Sequence, residues 1–392
     1  MDQIGSPRWS SAERKRIMKP ITLAILTIGL CLMASPTALA QFSSGSTGAD
    51  GALDVTTSTN LNLPPDGIFN FTTINVASGA TLKFNRNLLN TPVYLLATGD
   101  VVISGTVSVS GGNRNGAAPG RGGPGGFDGG FGPYQGFPAG DGQGPGGGKS
   151  SLEYGATFAF AGGAGQNTNL YGNTLLSPLI GGSGGAGETS QGRAGGGGGG
   201  AILAASSTRI TINGTISSSG GSGFGGGSGG AVRIVAPVVD GSGSLTASGG
   251  GSDWNTPYNG SDGRTRIDCI DRFSHRTLTL GGKGTRGIQM FVFPAGNPKL
   301  DIINAAGTAV SEGTNAPVTV YLPVGSPTNQ LVRVQARGFM NDIPIRVKIT
   351  PENAPSATFD GIIPQSSGNP PFADVQVTLP VDTVCHVHAW TR

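Results

Sequence analysis

The 392-residue chain contains 71 glycines, only 12% charged residues, and 25 basic against 22 acidic side chains. Five of the basic and two of the acidic residues lie within positions 1–40, so the remainder carries 20 of each and has no electrostatic attraction for nucleic acid or anionic lipid. The glycines lack a strict Gly-X-Y phase, which excludes a collagen triple helix.

The first forty residues (1–40) predict a secretory signal peptide. Basic residues 14–16 precede an apolar run at 21–34 that is too short for a membrane-spanning helix, which needs roughly 20 residues. Small residues surround the expected cleavage between Ala40 and Gln41, and Met18 begins a compact signal by itself. We therefore expect export to the periplasm, cell surface or medium, with no transmembrane segment in the mature chain. An uncleaved membrane anchor is the alternative.

Short apolar strands bounded by glycine recur in the next part of the chain, at 74–84, 93–112, 202–221 and 232–250. In the last strand of three copies, Val107, Ile216 and Leu245 occupy equivalent positions and alternate with Ser or Thr. Repeats of roughly 20–50 residues are typical of solenoids. This pattern predicts an all-β fold with a parallel β-solenoid, also called a β-helix, in a domain at 41–297. An antiparallel sandwich built from the same hairpins is the alternative.

A long glycine-rich insertion interrupts the solenoid at about 111–200. Ordering glycine loops costs much conformational entropy and buries little apolar surface. Aromatic side chains punctuate the insertion, and we expect them to anchor its loops to the solenoid wall, the alternative being a sugar-contacting face. They are Phe127, Phe131, Tyr134, Phe137, Tyr154, Phe158 and Phe160.

Glycine becomes scarcer after about residue 298 and strand-like runs replace it. These runs lie at 318–322, 331–336, 343–349, 375–379 and 384–390. Alternating patterns at such short spacing favour a small immunoglobulin-like β-sandwich in a second domain at 298–392.

No motif indicates a cofactor. Residues 144–150 resemble a phosphate-binding loop, but Gln143 stands where that motif needs glycine. The tandem nonapeptides of calcium-binding β-rolls are also missing, and there is no Gly-x-Ser-x-Gly nucleophile elbow.

Charged residues cluster in one segment, where Arg264, Arg266 and Asp268 share a face if the segment is a strand. Asp271 and Arg272 follow them. A surface ion-pair ladder is the favoured interpretation. The alternative is a catalytic cleft, which would require Asp268 and Asp271 to face each other across a glycosidic bond.

Two further pairs of residues could form specific contacts. His386 and His388 lie on one face of a predicted strand, as metal ligands do, but no third ligand is evident, so an exposed edge strand is favoured. Cys269 and Cys385 remain after export and could form a disulfide that ties the solenoid to the sandwich, if their Cα atoms come within bridging distance. We expect no catalytic, metal or cofactor site.

Several segments resemble a group of secreted, glycine-rich bacterial proteins of unknown function. The similar segments are 63–73, 96–101, 171–173, 178–185, 229–236 and 347–352. Residues 264–268, Arg-Thr-Arg-Ile-Asp, depart from the group, which tends toward Gly-Arg-Ile-Arg-Ile-Glu. The resemblance implies export from a Gram-negative type of cell and transfers no catalytic residue.

Together these observations predict a non-enzymatic structural or adhesion-type protein of the bacterial envelope. Its neutral Ser/Thr-covered face would contact envelope or extracellular polysaccharide. A carbohydrate-binding or carbohydrate-active β-helix protein is the alternative, and ice binding by a flat Thr array is a third hypothesis.

Overall fold

The computed structural model describes residues 42–152, 155–159, 169–254, 256–294, 298–312 and 316–391. The predicted signal peptide, with Ala40 and Gln41, lies outside these residues, as do Tyr154 and Phe160. Nearly all regular structure in the described part is β: a parallel β-solenoid is followed by a small antiparallel sandwich, which confirms the predicted fold class.

Three parallel sheets form the walls of the solenoid; among the described residues, each of the first five coils adds one strand to each wall and the last coil adds one strand to two of them. The first sheet contains, in order, β1 (Leu53–Val55), β4 (Ile74–Val76), β7 (Val101–Ile103), β10 (Arg209–Ile212) and β13 (Val238–Asp240). The second contains β2 (Thr59–Asn62), β5 (Thr81–Asn85), β8 (Thr106–Ser108), β11 (Thr215–Ser217), β14 (Ser244–Thr246) and β16 (Thr279–Leu280). The third contains β3 (Ile68–Phe71), β6 (Val93–Ala97), β9 (Ala201–Ser206), β12 (Ala231–Ala236), β15 (Arg264–Cys269) and β17 (Lys283–Gly287).

The predicted apolar ladder is present inside the coils. Ile216 pairs in register with Val107 on one side and with Leu245 on the other, and all three are buried in one continuous cluster. Each such side chain contributes roughly 1.5–3 kcal/mol on burial. The third sheet is covered on its outer face as well, where Leu96 and Leu203 pack in a second cluster with Phe158. This sheet is therefore buried on both faces, as parallel sheets usually are.

The described part of the glycine-rich insertion forms a bundle of extended segments, with residues 195–200 at its centre. Backbone N–H groups at 195 and 198 donate to segment 127–130, those at 196 and 199 to segment 225–228, and those at 197 and 200 to segment 109–112. Each neighbour is therefore contacted at every third residue, which is the period of a polyproline II helix.

Close packing of these segments explains the run of six glycines. A Cβ atom added at any position of 195–200 would lie closer than 3.0 Å to the backbone of a neighbouring segment. Collagen imposes the same restriction at its crowded axis. Hydrogen bonds between backbones hold the described part of the insertion together, and Phe158 anchors it to the solenoid wall as predicted, packing in one cluster with Leu96 and Leu203. Among the aromatics, Phe158 is buried, whereas Tyr134 and Phe137 are exposed.

The C-terminal sandwich has one sheet of four strands and one of three around its own apolar cluster. The first contains β19 (Thr308–Ala309), β18 (Lys299–Ala305), β20 (Asn329–Arg337) and β23 (Phe372–Thr378); the second contains β22 (Ala357–Ile363), β21 (Ile343–Pro351) and β24 (Cys385–Thr391). Four of the five predicted strands are confirmed. The strand predicted at 318–322 is wrong: these residues pair with no described strand, and Tyr321 is 88% exposed. A sequence of high strand propensity does not by itself form a strand, because that propensity depends on packing of the side chains against a neighbouring surface.

The sandwich contacts the glycine bundle within one compact unit that begins at Phe42. Lys348 of β21 donates from Nζ to the carbonyl of Gly144 at 2.8 Å, and Ser356 donates to the carboxylate of Asp141. Helical structure among the described residues is limited to 3₁₀ turns at Ser150–Leu152, Thr256–Tyr258, Ser274–Thr277 and Gln365–Ser367.

Candidate functional site

The outer face of the second sheet carries two rows of short polar side chains. One row has a hydroxyl from each of five consecutive coils, aligned by the strand register: Thr81, Thr106, Thr215, Ser244 and Thr279. The parallel row, two residues along each strand, contains Asn60, Lys83, Ser108, Ser217 and Thr246. Adjacent strands lie about 4.8 Å apart and the two rows about 6.7 Å apart, so five coils extend over about 19 Å. We call this surface the hydroxyl face.

The hydroxyl face carries little charge and is mostly half-exposed. Lys83 is the one charged side chain among the residues of its two rows. The hydroxyls hydrogen-bond to each other along the ladder, as Thr215 does with Ser244 at 3.1 Å and Ser110 with Ser217 at 2.9 Å. A hydroxyl has one donor and two acceptor positions, so each of these groups keeps capacity for an external partner.

The same face continues beyond the strands into the glycine bundle. Backbone N–H groups of Gly111 and Arg114 donate to Ser219 and Ser222, and that of Gly220 donates to Ser248. The segments that follow β8, β11 and β14 therefore stay side by side and lengthen the polar surface toward one end of the bundle.

The charged cluster predicted at 264–268 is brought together, but it is buried rather than at the surface. Arg266 forms two hydrogen bonds to Asp268, at 2.7 and 2.8 Å, and Arg233 of the neighbouring strand reaches the same carboxylate at 3.2 Å. Segment 288–294 covers them: Gln289 bonds to both Arg233 and Asp268. The guanidinium of Arg233 also lies 4.3 Å from the ring centroid of Phe291. The charged groups of Arg233, Arg266 and Asp268 therefore all have structural partners, and burial lowers the pKa of Arg233.

Asp271 is separated from this cluster and caps a turn. Its carboxylate accepts hydrogen bonds from the backbone of Phe273 and the hydroxyl of Ser274, and these bonds lower its pKa. Because Asp268 is enclosed in ion pairs and Asp271 caps a turn, the structure does not present them as two facing carboxylates of a catalytic cleft. Arg264 and Arg272 lie at the two ends of the segment, the first half-buried and the second exposed.

The two cysteines are free and lie in different cores. Cys269 belongs to the solenoid core, where its Sγ lies 3.3 Å from Nδ1 of His275, and Cys385 packs against the sandwich core. The structure therefore does not bring the proposed disulfide partners together. Burial raises the pKa of Cys269 to about 11, so it is a protonated thiol at neutral pH rather than a nucleophile activated by the histidine.

His386 and His388 share a strand face as predicted, with ring centroids 6.5 Å apart. They lie at the contact between the sandwich and the glycine bundle, where His388 packs edge-on against Phe127. Loss of hydration lowers the pKa of His388 to about 4 and that of the nearby Lys348 to about 8. The pair contributes to an interface, and the described residues contain no group of three or more His, Cys, Asp or Glu that could hold a metal ion.

A groove of about 460 Å³ at the first coil was not predicted from the sequence. Its lining residues include Asp50, Asp66 and Phe69. Each carboxylate accepts a backbone hydrogen bond, from Asn70 and Ile68 respectively. The groove could not be expected from the sequence, because Asp50 and Asp66 are 16 positions apart in a segment without a recognisable motif.

The segment that resembles a phosphate-binding loop has a structural role. Ser150 donates twice to Asp141, from its backbone N–H and its hydroxyl, both at 2.8 Å.

In the part of the chain that the structure describes, no helix is long and apolar enough to cross a bilayer.

No family model matches the sequence, and comparisons with curated proteins and with solved structures return no match. The function is therefore inferred from the geometry of the chain itself.

Proposed function

We propose that the protein is a non-enzymatic, exported structural or adhesion-type protein of the bacterial envelope that binds polysaccharide through the hydroxyl face. The observation that carries this proposal is the row of five hydroxyls, one per coil, from Thr81 to Thr279. Polysaccharides present repeating hydroxyls that can both donate to and accept from such a row. Many weak contacts along about 19 Å add up to useful affinity when they are made simultaneously.

Charge and rigidity support the same function. The face has little charge, so it favours neutral polymers over polyanions. The closely packed solenoid holds the hydroxyls in place, which lowers the entropy lost on binding. Export and envelope location are part of the proposal, and they rest on the signal pattern that ends at Ala40.

The experiment is a pull-down of the purified protein with insoluble glycans, comparing Thr215→Lys with Thr211→Lys. Both threonines belong to the same coil and are half-exposed, but Thr211 lies on the first sheet, away from the hydroxyl face. We expect Thr215→Lys to reduce the bound fraction at least fivefold and Thr211→Lys to bind as the wild type does. If the wild type binds none of the glycans, or if both variants bind equally, the proposal is wrong.

A carbohydrate-active enzyme is a second candidate, because the groove at the first coil places Asp50 and Asp66 in one lining. Release of reducing ends from a glycan panel, abolished by Asp66→Asn, would favour it. An inactive wild type would remove it.

Ice binding is a third candidate, favoured by the regular hydroxyl row. A measurement of thermal hysteresis tests it directly, and a freezing point equal to the melting point would reject it.

A further inference from the structure

Exposed aromatic side chains gather where four turns meet at one end of the glycine bundle. The turn at 114–118 contacts the turn that starts at 132, because Gly132 donates to the carbonyl of Ala117. It also contacts the turn at 188–194, because Ala194 donates to the carbonyl of Gly116. Arg114 forms an ion pair with Asp253, which joins segment 252–254 to the same group.

Trp254 is held at this end in a fixed position and is still 60% exposed. The guanidinium of Arg193 lies 4.6 Å from its ring centroid and 5.2 Å from that of the buried Phe224. Glu188 fixes the guanidinium in turn, with hydrogen bonds of 2.6 and 2.9 Å. Arg193 therefore supports one side of the indole, and the rest of the ring is open to solvent.

Tyr134 and Phe137 lie on the neighbouring turn and are 64% and 54% exposed. They flank a tight two-residue turn, in which Tyr134 and Phe137 exchange backbone hydrogen bonds and Gln135 and Gly136 have positive φ. Because residues that exchange both backbone hydrogen bonds lie directly opposite each other, the two side chains are on the same side of the turn, and both rings are exposed to solvent. The backbone of Gly132 packs directly against that of Gly192 and Arg193, so the turn that carries these rings begins beside the residue that supports Trp254.

We propose that Trp254, Tyr134 and Phe137 form an aromatic platform that binds a neutral pyranose polymer at the far end of the hydroxyl face. Aromatic rings fixed by a scaffold offer large apolar contact with little loss of entropy. The apolar C–H faces of pyranose rings with equatorial hydroxyls, as in β-1,4-linked glucose or N-acetylglucosamine polymers, fit such rings. Tyrosine adds a hydroxyl that can contact a sugar hydroxyl at the edge of the same surface.

Charge at the platform supports a neutral ligand. Arg193 is paired with Glu188, and Arg114 with Asp253, so both guanidinium groups are already neutralised by carboxylates. A uronic acid or phosphate polymer would find no free cation among these residues. The platform also connects to the hydroxyl face, because Thr246 of β14 and Trp254 are joined by an extended segment that covers at most about 25 Å.

This inference rests on the proposed function and names the ligand class for it. The test measures binding isotherms of the full protein on crystalline cellulose and chitin, with polygalacturonate as the acidic comparison. The variant is Trp254→Ala, and the matched control is Phe273→Ala. Phe273 is 70% exposed and also lies beside an arginine, with the guanidinium of Arg276 4.7 Å from its ring, but it follows β15 of the solenoid.

We expect Trp254→Ala to weaken binding to cellulose or chitin at least tenfold, Trp254→Tyr to retain most of it, and Phe273→Ala to stay within twofold of the wild type. Urea unfolding of each variant verifies that the fold is intact. If Thr215→Lys loses binding and Trp254→Ala does not, binding at the hydroxyl face is supported and the proposed aromatic platform is wrong. If the wild type binds polygalacturonate more tightly than the neutral polymers, the ligand class is wrong, and if it binds no glycan, the proposed function fails as well.

Discussion

A single methyl group at the centre of the glycine bundle tests whether the bundle contributes to folding. The N–H of Gly198 donates a hydrogen bond to the carbonyl of Phe127 at 2.8 Å, and its carbonyl accepts one from the N–H of Gly123 at 2.9 Å. In Gly198→Ala the new Cβ would lie closer than 3.0 Å to the backbone of Gly182, so the neighbouring segments must move apart. Overpacking of this kind costs about 1–3 kcal/mol, and weakening the two hydrogen bonds adds about 1 kcal/mol each.

The lower conformational entropy of alanine in the unfolded chain offsets only about 0.4–1 kcal/mol of this. We therefore expect Gly198→Ala to lower the free energy of unfolding by about 3 kcal/mol in urea denaturation followed by circular dichroism. Gly251→Ala is the control, because the nearest atom to its added Cβ is the hydroxyl of Ser222 at 3.6 Å, an ordinary contact. Equal unfolding midpoints for the two variants would refute the close-packed bundle.

Three other predictions concern buried polar groups. Asp268→Asn should lower the free energy of unfolding by about 3–5 kcal/mol, since it leaves the buried guanidinium groups of Arg233 and Arg266 without their counter-charge. Asp374→Asn breaks an exposed ion pair and should lower it by less than about 1 kcal/mol. Similar losses for the two variants would contradict the burial of the Asp268 cluster. Because the pKa of His388 is about 4 in the folded chain and about 6.5 when unfolded, the unfolded state binds more protons in this window, and stability should fall by up to about 3 kcal/mol from pH 6.5 to pH 4. His388→Gln should flatten that decline, and an unchanged pH profile would reject the assignment. Peptide mapping under non-reducing conditions should find Cys269 and Cys385 as free thiols. Cys269 should not react with iodoacetamide at pH 8 until urea unfolds the protein, because burial keeps its thiol protonated. A disulfide-linked peptide, or rapid alkylation of Cys269 in the native protein, would contradict this prediction.

The coils were predictable because their apolar residues alternate with a constant register. Val107, Ile216 and Leu245 fall at equivalent places in three copies of the repeat, and a parallel solenoid must stack such residues on one another. The Ser and Thr residues that alternate with these apolar residues likewise predict a polar outer surface on the same strands. The sandwich strands were predictable for the same reason, since their inward residues follow period two.

The glycine bundle could not be predicted in this way because it has no apolar period. Its order comes from backbone hydrogen bonds made in several directions by residues such as 195–200, and a run of identical residues does not indicate its neighbours. The burial of Arg266 and Asp268 was missed for a related reason. Segment 288–294, which covers them, is distant from their strand in the chain, and only the tertiary fold places Gln289 above it.

The aromatic platform illustrates a further limit of the sequence. Trp254 and Tyr134 are separated by 120 positions, and their turns are brought together by backbone contacts of glycine and alanine and by the side chains of Arg114 and Arg193. Aromatics of the insertion that look alike in sequence therefore have different roles, since Phe158 is buried while Tyr134 is exposed.

Polysaccharide binding through the hydroxyl face is tested most directly by one binding isotherm. The wild type and the Thr215→Lys variant are compared on crystalline cellulose and on chitin, with Thr211→Lys as the reference for a lysine placed on another wall of the same coil. We predict saturable binding for the wild type and for Thr211→Lys, and at least a fivefold loss for Thr215→Lys. Identical isotherms for the three proteins, or no binding by any of them, would contradict the proposed function.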